Sequence, residues 1–471
     1  MQMERLGKAL DPKFPDYVYA AKPLTRIFET AGGGRGVTNL FLGEWMKMLD
    51  EPVSPKGLMR VRYRGGEGYV STADVTRERL LEIFFIDVNQ GDAILIQTPD
   101  DRRILIDGGE SDDAYEFIRN KYGLDKPDNY IDFDAVIATH CDSDHTQGLL
   151  KVLADPKIAV KRFYHNGLFR RTDKRQDPGP REGKRVYGMV DRPATGGEPA
   201  LAPLMQRVAR AIDQAEKNLL PVSKKMTDLG RRIDVPPGGF VCKRLDAADR
   251  YLPPYDNPRK PLVIEVLWPK AVMQDGRLSY PWYGDAGRTV NGNSVTLCLR
   301  HGPNRMLLAG DLNAAAMDDL LSAYSSEETL CKLLEAHVYK AAHHGSQDFS
   351  IPFLKAVKPN AAVISSGDDT NDIHGHPRAV LVGTITRYSR CERPAVFITE
   401  LAACFTKLSG EEKGRFQSGK AQLYERSIQG IIHLRSGGDS LWLGSVHGRK
   451  SAEQEDYTSP AWKWDVWSQG Q

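Results

Sequence analysis

The stretch ATHCDSDHTQGL, residues 138–149, decides the reading of this chain. His140, Asp142, Asp144 and His145 fall within six residues in an HxDxDH spacing. The apolar run Ala135 to Ala138 before them reads as a buried strand, and apolar periodicity resumes from Gly148 as a helix start. Two imidazoles and two carboxylates packed this closely would repel one another in a dry core unless divalent cations neutralise the carboxylates. In extended geometry His140 and Asp142 point to one side, while Asp144 and His145 reach the other at the turn, so the loop can hold two ions. The competing reading is a helix N-terminal cluster in which Asp144 only caps the helix.

Working outward, EIFFIDVNQGDAILIQTPDDRRILIDGG (82–109) gives apolar strand-like runs divided by a charged turn, and the last run ends in Asp107 followed by two glycines. Downstream, NGNSVTLCLRHGPNRMLLAGDL (291–312) leads two further runs to Asp311 at a strand tip. KAAHHGS (340–346) places His343 and His344 after a strand, and AAVISSGDDTNDIHGHP (361–377) places His374 and His376 after another. Aspartates and histidines at successive strand ends can converge on one edge of a packed sheet.

The stretches DVNQGDAILI, LIDGG, ATHCDSDHTQGL, NGNSVTLCL, LLAGDL, KAAHHGS and the GHP after SSGDDTND occur in the order seen in the metallo-beta-lactamase superfamily. Within it the chain resembles the branch of the ComEC-type competence proteins, over about residues 81–400. The resemblance implies an α/β fold, an αββα sandwich of two face-to-face sheets with helices outside, and a two-metal hydrolytic centre at one sheet edge. It implies His140 and Asp142 as ligands of one ion, Asp144 and His145 of the other, and Asp311 as the bridging carboxylate. One of His343 and His344 is the late ligand, with His344 favoured, and Asp107 orients the ligand loop from behind. The histidine that is not a ligand, together with His376, would contact a phosphate or protonate the leaving oxygen, so Asp144, Asp311, His343 and His376 are the catalytic set. For His374 and His376 the plain alternative is a proline-containing turn.

The sequence departs from the family pattern at three places. Asp142 stands where a histidine is usual, which hardens that ligand and admits manganese or magnesium beside zinc. The expected cofactors are therefore two divalent ions, Zn2+ or Mn2+. Asn89 replaces a glycine in the DVGQGD turn, and asparagine tolerates the positive φ such a turn needs. His165 is the only histidine between His145 and His301, and it reads as a missing ligand or as an ordinary surface or core residue.

The 471 residues predict two or three domains. After an N-terminal extension (1–14), residues 15–78 carry short strand-like runs and glycine turns that resemble an SH3-like β-barrel, which could dock a protein partner. GGGRG at 32–36 lacks the lysine and hydroxyl residue of a phosphate loop and reads as a plain loop. Within the 81–400 hydrolase domain, about 151–288 exceeds what a minimal two-sheet fold needs and reads as an insertion. Its segment 161–190 holds nine Lys or Arg against three Asp or Glu, and nominates Lys161, Arg162, Arg170 and Arg171 as a grip on a phosphate backbone, the alternative being a solvated loop. The helical pattern after it suggests a lid over the site. Residues 401–471 should add strands, with a hairpin around Ser436-Gly437-Gly438, and a tail containing Trp462, Trp464 and Trp467.

A net charge of +2, from 64 basic and 62 acidic residues, is too small to recruit nucleic acid globally. No apolar run has membrane-spanning length, and six scattered cysteines without a CxxC pair suggest neither disulfides nor a thiolate zinc knuckle, so a cytoplasmic protein is expected. The functional expectation is a metal-dependent phosphodiesterase or nuclease acting on DNA. The alternatives are hydrolysis of a small phosphodiester, such as a nucleotide signal or a phosphorylcholine ester, and a hydrolase activated by a partner docked on the SH3-like module.

Overall fold

The computed structural model describes residues 16–63, 66–172, 177–196, 200–231, 233–324, 332–367, 375–403, 425–428, 430–447, 450–451, 454–455 and 463–469. His374 and Trp462 lie outside the described residues.

Residues 17–76 form a seven-stranded antiparallel sheet around a small core of Val18, Ile27, Met46, Val61 and Val70. Among the described residues its ladder has Gly36–Phe41 and Val75–Thr76 as its two end strands. The module touches the C-terminal part of the chain through Phe41, whose ring lies under the Arg435 guanidinium at 5.0 Å.

From Leu81 the chain builds two large sheets. The first takes β1 (Leu81–Phe85), β2 (Ile94–Gln97), β3 (Arg103–Ile106), β4 (Ala135–Ala138), β5 (Arg162–His165) and β6 (Val241–Arg244). The second takes β7 (Leu262–Trp268), β8 (Thr296–His301), β9 (Asn304–Leu308), β10 (Val338–Lys340), β11 (Ala361–Ile364) and β12 (Ala395–Ile398), in that spatial order. The C-terminal strands β13 (Ile431–Ser436), β14 (Leu441–His447) and β15 (Lys463–Gln469) extend the first sheet beyond β1, giving the order β6-β5-β4-β3-β2-β1-β13-β14-β15. The hairpin expected around Ser436 is the β13–β14 pair.

Strand alternation explains the layering. Ile104 and Ile106 of β3 point inward with Ile83, Ile96 and Ile137, and meet Ile264, Leu297, Met306 and Val363 of the second sheet in one buried core. Leu105, Leu95 and Val136 point the other way, onto helices α1 (Asp113–Tyr122), α2 (Leu149–Ala154) and α3 (Pro203–Asp228). On the far side Leu307, Tyr339 and Ile364 pack against α4 (Ala314–Tyr324), α5 (Ile351–Val357) and α6 (Ala379–Arg387). The result is helix, sheet, sheet, helix.

The stretch read as an insertion contributes more than an appendage: β5 and β6 complete the first sheet, in parallel with β4, and β7 opens the second. Nor does α3 form a lid. Its apolar face, with Ile212, Ala215, Leu219 and Val222, packs on α2 and on the strand Ile158–Val160, in the outer helical layer. An amphipathic pattern shows that a face will be covered without saying by what. No helix among the described residues is long and apolar enough to cross a membrane.

In each sheet an antiparallel meander turns parallel at the same place: β3–β4–β5 in one sheet and β9–β10–β11 in the other. The ends of these strands, at Asp107, His140, Asp311 and His343, therefore open onto one edge. The helix leaving that edge comes so close to the Asp107 turn that a Cβ on Gly148 would lie 1.9 Å from the Gly108 carbonyl oxygen and 2.5 Å from that of Ser111. Gly148→Ala should therefore lower stability by about 1–3 kcal/mol or more, as overpacking does. Gly383→Ala, exposed in α6 with open space around it, should leave stability unchanged or raise it by about 0.5–1 kcal/mol. Denaturant midpoints of the two variants check the contrast; equal midpoints would contradict the packing described for Gly148.

Candidate metal centre

The ligand loop is held from behind by Asp107, a fully buried residue at φ 58° directly after β3. Its carboxylate accepts the Thr139 backbone N–H at 2.7 Å and the Thr139 hydroxyl at 2.7 Å, and lies 2.8 Å from His145 Nδ1. These three contacts tie Asp107 to the start of the ligand loop and to His145. With its Nδ1 turned to Asp107, the His145 ring presents Nε2 to the opening between the sheets.

There it meets residues of the second sheet. His145 Nε2 lies 3.3 Å from Asp311 Oδ1, and His344 Nε2 lies 3.3 Å from Asp311 Oδ2 and 3.3 Å from Asp144 Oδ2. The ligating atoms of Asp144, His145, Asp311 and His344 all lie within 4.8 Å of one another, and the last three residues are buried. Asp311 faces both imidazoles, one with each carboxylate oxygen.

Next to this nest, His140 is held at Nδ1 by the Thr139 and Ser294 hydroxyls, at 3.1 and 3.3 Å, and turns Nε2 to Asp142 Oδ2 at 3.8 Å. The other Asp142 oxygen is taken by Arg170, whose Nε and Nη2 stand at 2.8 and 2.7 Å. The buried Nε2 atoms of His140, His145 and His344 and Oδ1 of Asp311 have no hydrogen-bond partner. Polar atoms stripped of water and aimed at one spot cost free energy unless something there binds them. Mixed imidazole and carboxylate donors fit a divalent ion in the nest of Asp144, His145, Asp311 and His344.

The electrostatics agree. Burial drives the His145 and His344 imidazoles toward neutrality, but Asp311 and the other carboxylates around them outweigh it, and both are raised well above the ordinary histidine range. Burial equally opposes charge on Asp144 and Asp311, yet the facing imidazoles hold both carboxyls below the usual carboxylate range. The nest demands positive charge. His140 goes the other way, lowered by burial and by His145, and is neutral and suited to ligation.

His343 stands beside the nest with 29% of its side chain exposed, Nε2 at 4.0 Å from Asp311 and its ring 5.6 Å from that of His376. Of the paired histidines, His344 is therefore the one inside and His343 the one at the rim. His165 is directed away, with Nε2 2.9 Å from the Asp191 carbonyl oxygen and Nδ1 accepting the Gly167 N–H; it is a core residue, pushed down by burial to about 4.

Of the four basic residues nominated for substrate, only Arg170 reaches the site. Lys161 is buried with Nζ 2.6 Å from Asp134 and 2.7 Å from Asp132, Arg162 donates to the Asp134 carbonyl oxygen, and Arg171 donates to that of Gly188. These three are engaged by partners within the fold: Lys161 by buried carboxylates, and Arg162 and Arg171 by backbone carbonyls. The residues missed are Ser294, Asp92 and Lys340. Lys340 left a signal: a lysine within VYKAA, an otherwise apolar strand, needs a buried carboxylate.

Residues 86–368, more than half of the chain, match the Metallo-beta-lactamase superfamily model. No curated protein matches the chain. Among solved structures, a protein from Parabacteroides distasonis assigned by inference as a metal-dependent hydrolase is 12% identical, with 72% of this chain and 97% of that chain covered and a TM-score of 0.27. CmlA, a diiron beta-hydroxylase from Streptomyces venezuelae, is 11% identical, with 69% and 54% covered and a TM-score of 0.33. A point mutant of CmlA beta-hydroxylase is 10% identical, with 74% and 54% covered and a TM-score of 0.33. Likenesses this loose carry no inference about chemistry. The family match and the sandwich with its edge cluster agree: the chain belongs to the metallo-beta-lactamase superfamily.

Proposed function

We propose that this chain is a metal-dependent phosphodiesterase whose reaction takes place over the Asp144, His145, Asp311 and His344 nest. The observation that carries the proposal is the set of buried, unpartnered imidazole nitrogens converging on Asp311. Divalent ions held there would supply hydroxide at neutral pH and polarise the oxygen under attack. Asp144 and Asp311 hold the charge that binds them, with Asp107 fixing His145 in the required orientation. His343, at the open rim with His376 behind it, is placed to give a proton to the leaving oxygen. Arg170, anchored on Asp142, sets a fixed cation at the rim for a phosphate oxygen.

The ComEC-type order of motifs supports DNA as the substrate. A second reading, a small phosphodiester, is favoured by a specific observation: in the basic stretch meant to grip a nucleic-acid backbone, Lys161, Arg162 and Arg171 are taken up by internal partners. A bis-aryl phosphodiester assayed beside labelled single strands, with Zn2+ and with Mn2+, separates the two. Cleavage of the ester with intact strands removes the nuclease reading, and turnover of neither removes the phosphodiesterase proposal.

Replacing Asp144 or Asp311 by Ala should lower the hydrolysis rate at least about a hundredfold, by loss of several kcal/mol of transition-state stabilisation, without unfolding the sandwich. If Asp144 only caps a helix, Asp144→Ala should instead cost about 1 kcal/mol of stability and spare the rate. Rates and melting temperatures of both variants decide between these.

Lys161→Met and Arg170→Met should separate fold from substrate contact. Lys161→Met removes the ammonium shared by Asp132 and Asp134, and should cost about 3 kcal/mol, the low end for a broken buried pair because Arg103 still faces Asp132 and Arg102 still faces Asp134, with KM unchanged. Arg170→Met should raise KM or lower kcat at least about tenfold with a small stability change. The reverse pattern would contradict the placement of these two residues.

A further inference from the structure

A lysine inside a buried strand is one of the costliest residues to fold away, and it persists where an anion meets it with good geometry. Lys340 closes β10 with no exposed surface, and its Nζ lies 2.7 and 2.8 Å from the two oxygens of Asp92 while donating to the Ala341 carbonyl oxygen at 2.9 Å. Asp92 belongs to the other sheet, on the turn between β1 and β2, so the pair ties the two sheets together immediately behind the site.

That turn touches ligands on both sides. Asp92 Oδ1 lies 3.4 Å from Nδ1 of His344, which also faces the Ser365 carbonyl oxygen at 3.2 Å. The Asp92 N–H donates to the Asp144 carbonyl oxygen at 3.3 Å, and Gln90 Nε2 donates to Asp144 Oδ2 at 3.4 Å. The approach is close enough that a Cβ on Gly91, at φ 107°, would fall 1.9 Å from the Asp144 carbonyl oxygen. His344 itself sits at φ 50°, in the left-handed region that residues with a Cβ seldom occupy, so its orientation needs support from outside its own backbone.

We propose that Asp92, neutralised by Lys340, is a positioning residue for His344 beside the Ser365 carbonyl oxygen, reaching across from the first sheet as Asp107 of that sheet orients His145. Histidine ligands generally give their second ring nitrogen to a carboxylate or carbonyl, and loss of that partner weakens metal binding without removing a ligand. Lys340 lets Asp92 stand behind the nest, beside Asp107, without adding net negative charge next to Asp144 and Asp311. The inference rests on the reading of His344 as a metal ligand.

The test separates positioning from support of the fold. In the full chain, Lys340→Met leaves Asp92 buried without its cation and should lower the melting temperature of the chelator-treated protein. The double variant Asp92→Asn with Lys340→Met removes both charges and should restore that melting temperature. Its affinity for Zn2+ and Mn2+, measured by competition with a chromophoric chelator, should stay about 10–100-fold below wild type, as in Asp107→Asn. Wild-type metal affinity in the refolded double variant would reduce the pair to a structural tie and overturn the proposal. If the double variant does not fold, Lys340→Arg keeps the charge and shifts its reach; at least tenfold weaker binding is expected, and wild-type affinity overturns the proposal. A protein that binds ions as described and cleaves no phosphodiester would end the functional proposal and leave this one standing, whereas a wild-type chain that binds neither ion would end both.

Discussion

Two carboxylates and two imidazoles buried against one another at the seam of the two sheets form the constraint around which this molecule is arranged. Asp144 and His145 come from the first sheet, Asp311 and His344 from the second, and the four ligating atoms lie within 4.8 Å. None of these groups has enough water to be comfortable alone, and each is tolerated because another, or an ion, faces it. The sandwich provides what that arrangement needs: an inter-sheet core of alternating aliphatic residues that resists the mutual repulsion, and parallel strand ends that open to a common edge.

Ligands from both sheets are backed by carboxylates of the first. Asp107 backs His145 at 2.8 Å, and Asp92 backs His344 at 3.4 Å. The difference is the counter-charge. Asp92 is held by Lys340; burial opposes its charge, and the Lys340 ammonium and His344 outweigh it to hold the carboxyl down to about 2. One turn, from Asn89 to Asp92, thus carries both a sheet-to-sheet tie and contacts to ligands from each half.

Much of the site was legible because metal chemistry compresses ligands into short motifs. His140, Asp142, Asp144 and His145 come from one loop, and Asp107 and Asp311 sit at strand tips followed by or preceded by glycine, which local pattern reveals. Composition left the choice between His343 and His344 open; the turn buries the His344 ring and leaves His343 at the rim. The basic stretch misled because charge density along a chain says nothing of which side chains face inward: Lys161 meets Asp132 and Asp134 only after residues nearly thirty positions earlier are folded beside it. The same long-range dependence hid β5, β6 and β7 within an apparent insertion, since their pairing partners lie far away in the sequence. Asp92 and Lys340 are separated by 248 positions, and no window of sequence contains them both.

The most direct measurement is elemental analysis of the full chain purified without chelator, before and after dialysis against Zn2+ or Mn2+. The account predicts divalent transition metal bound in fixed proportion to the chain, retained on desalting. A protein that emerges without any ion and takes none up would contradict it.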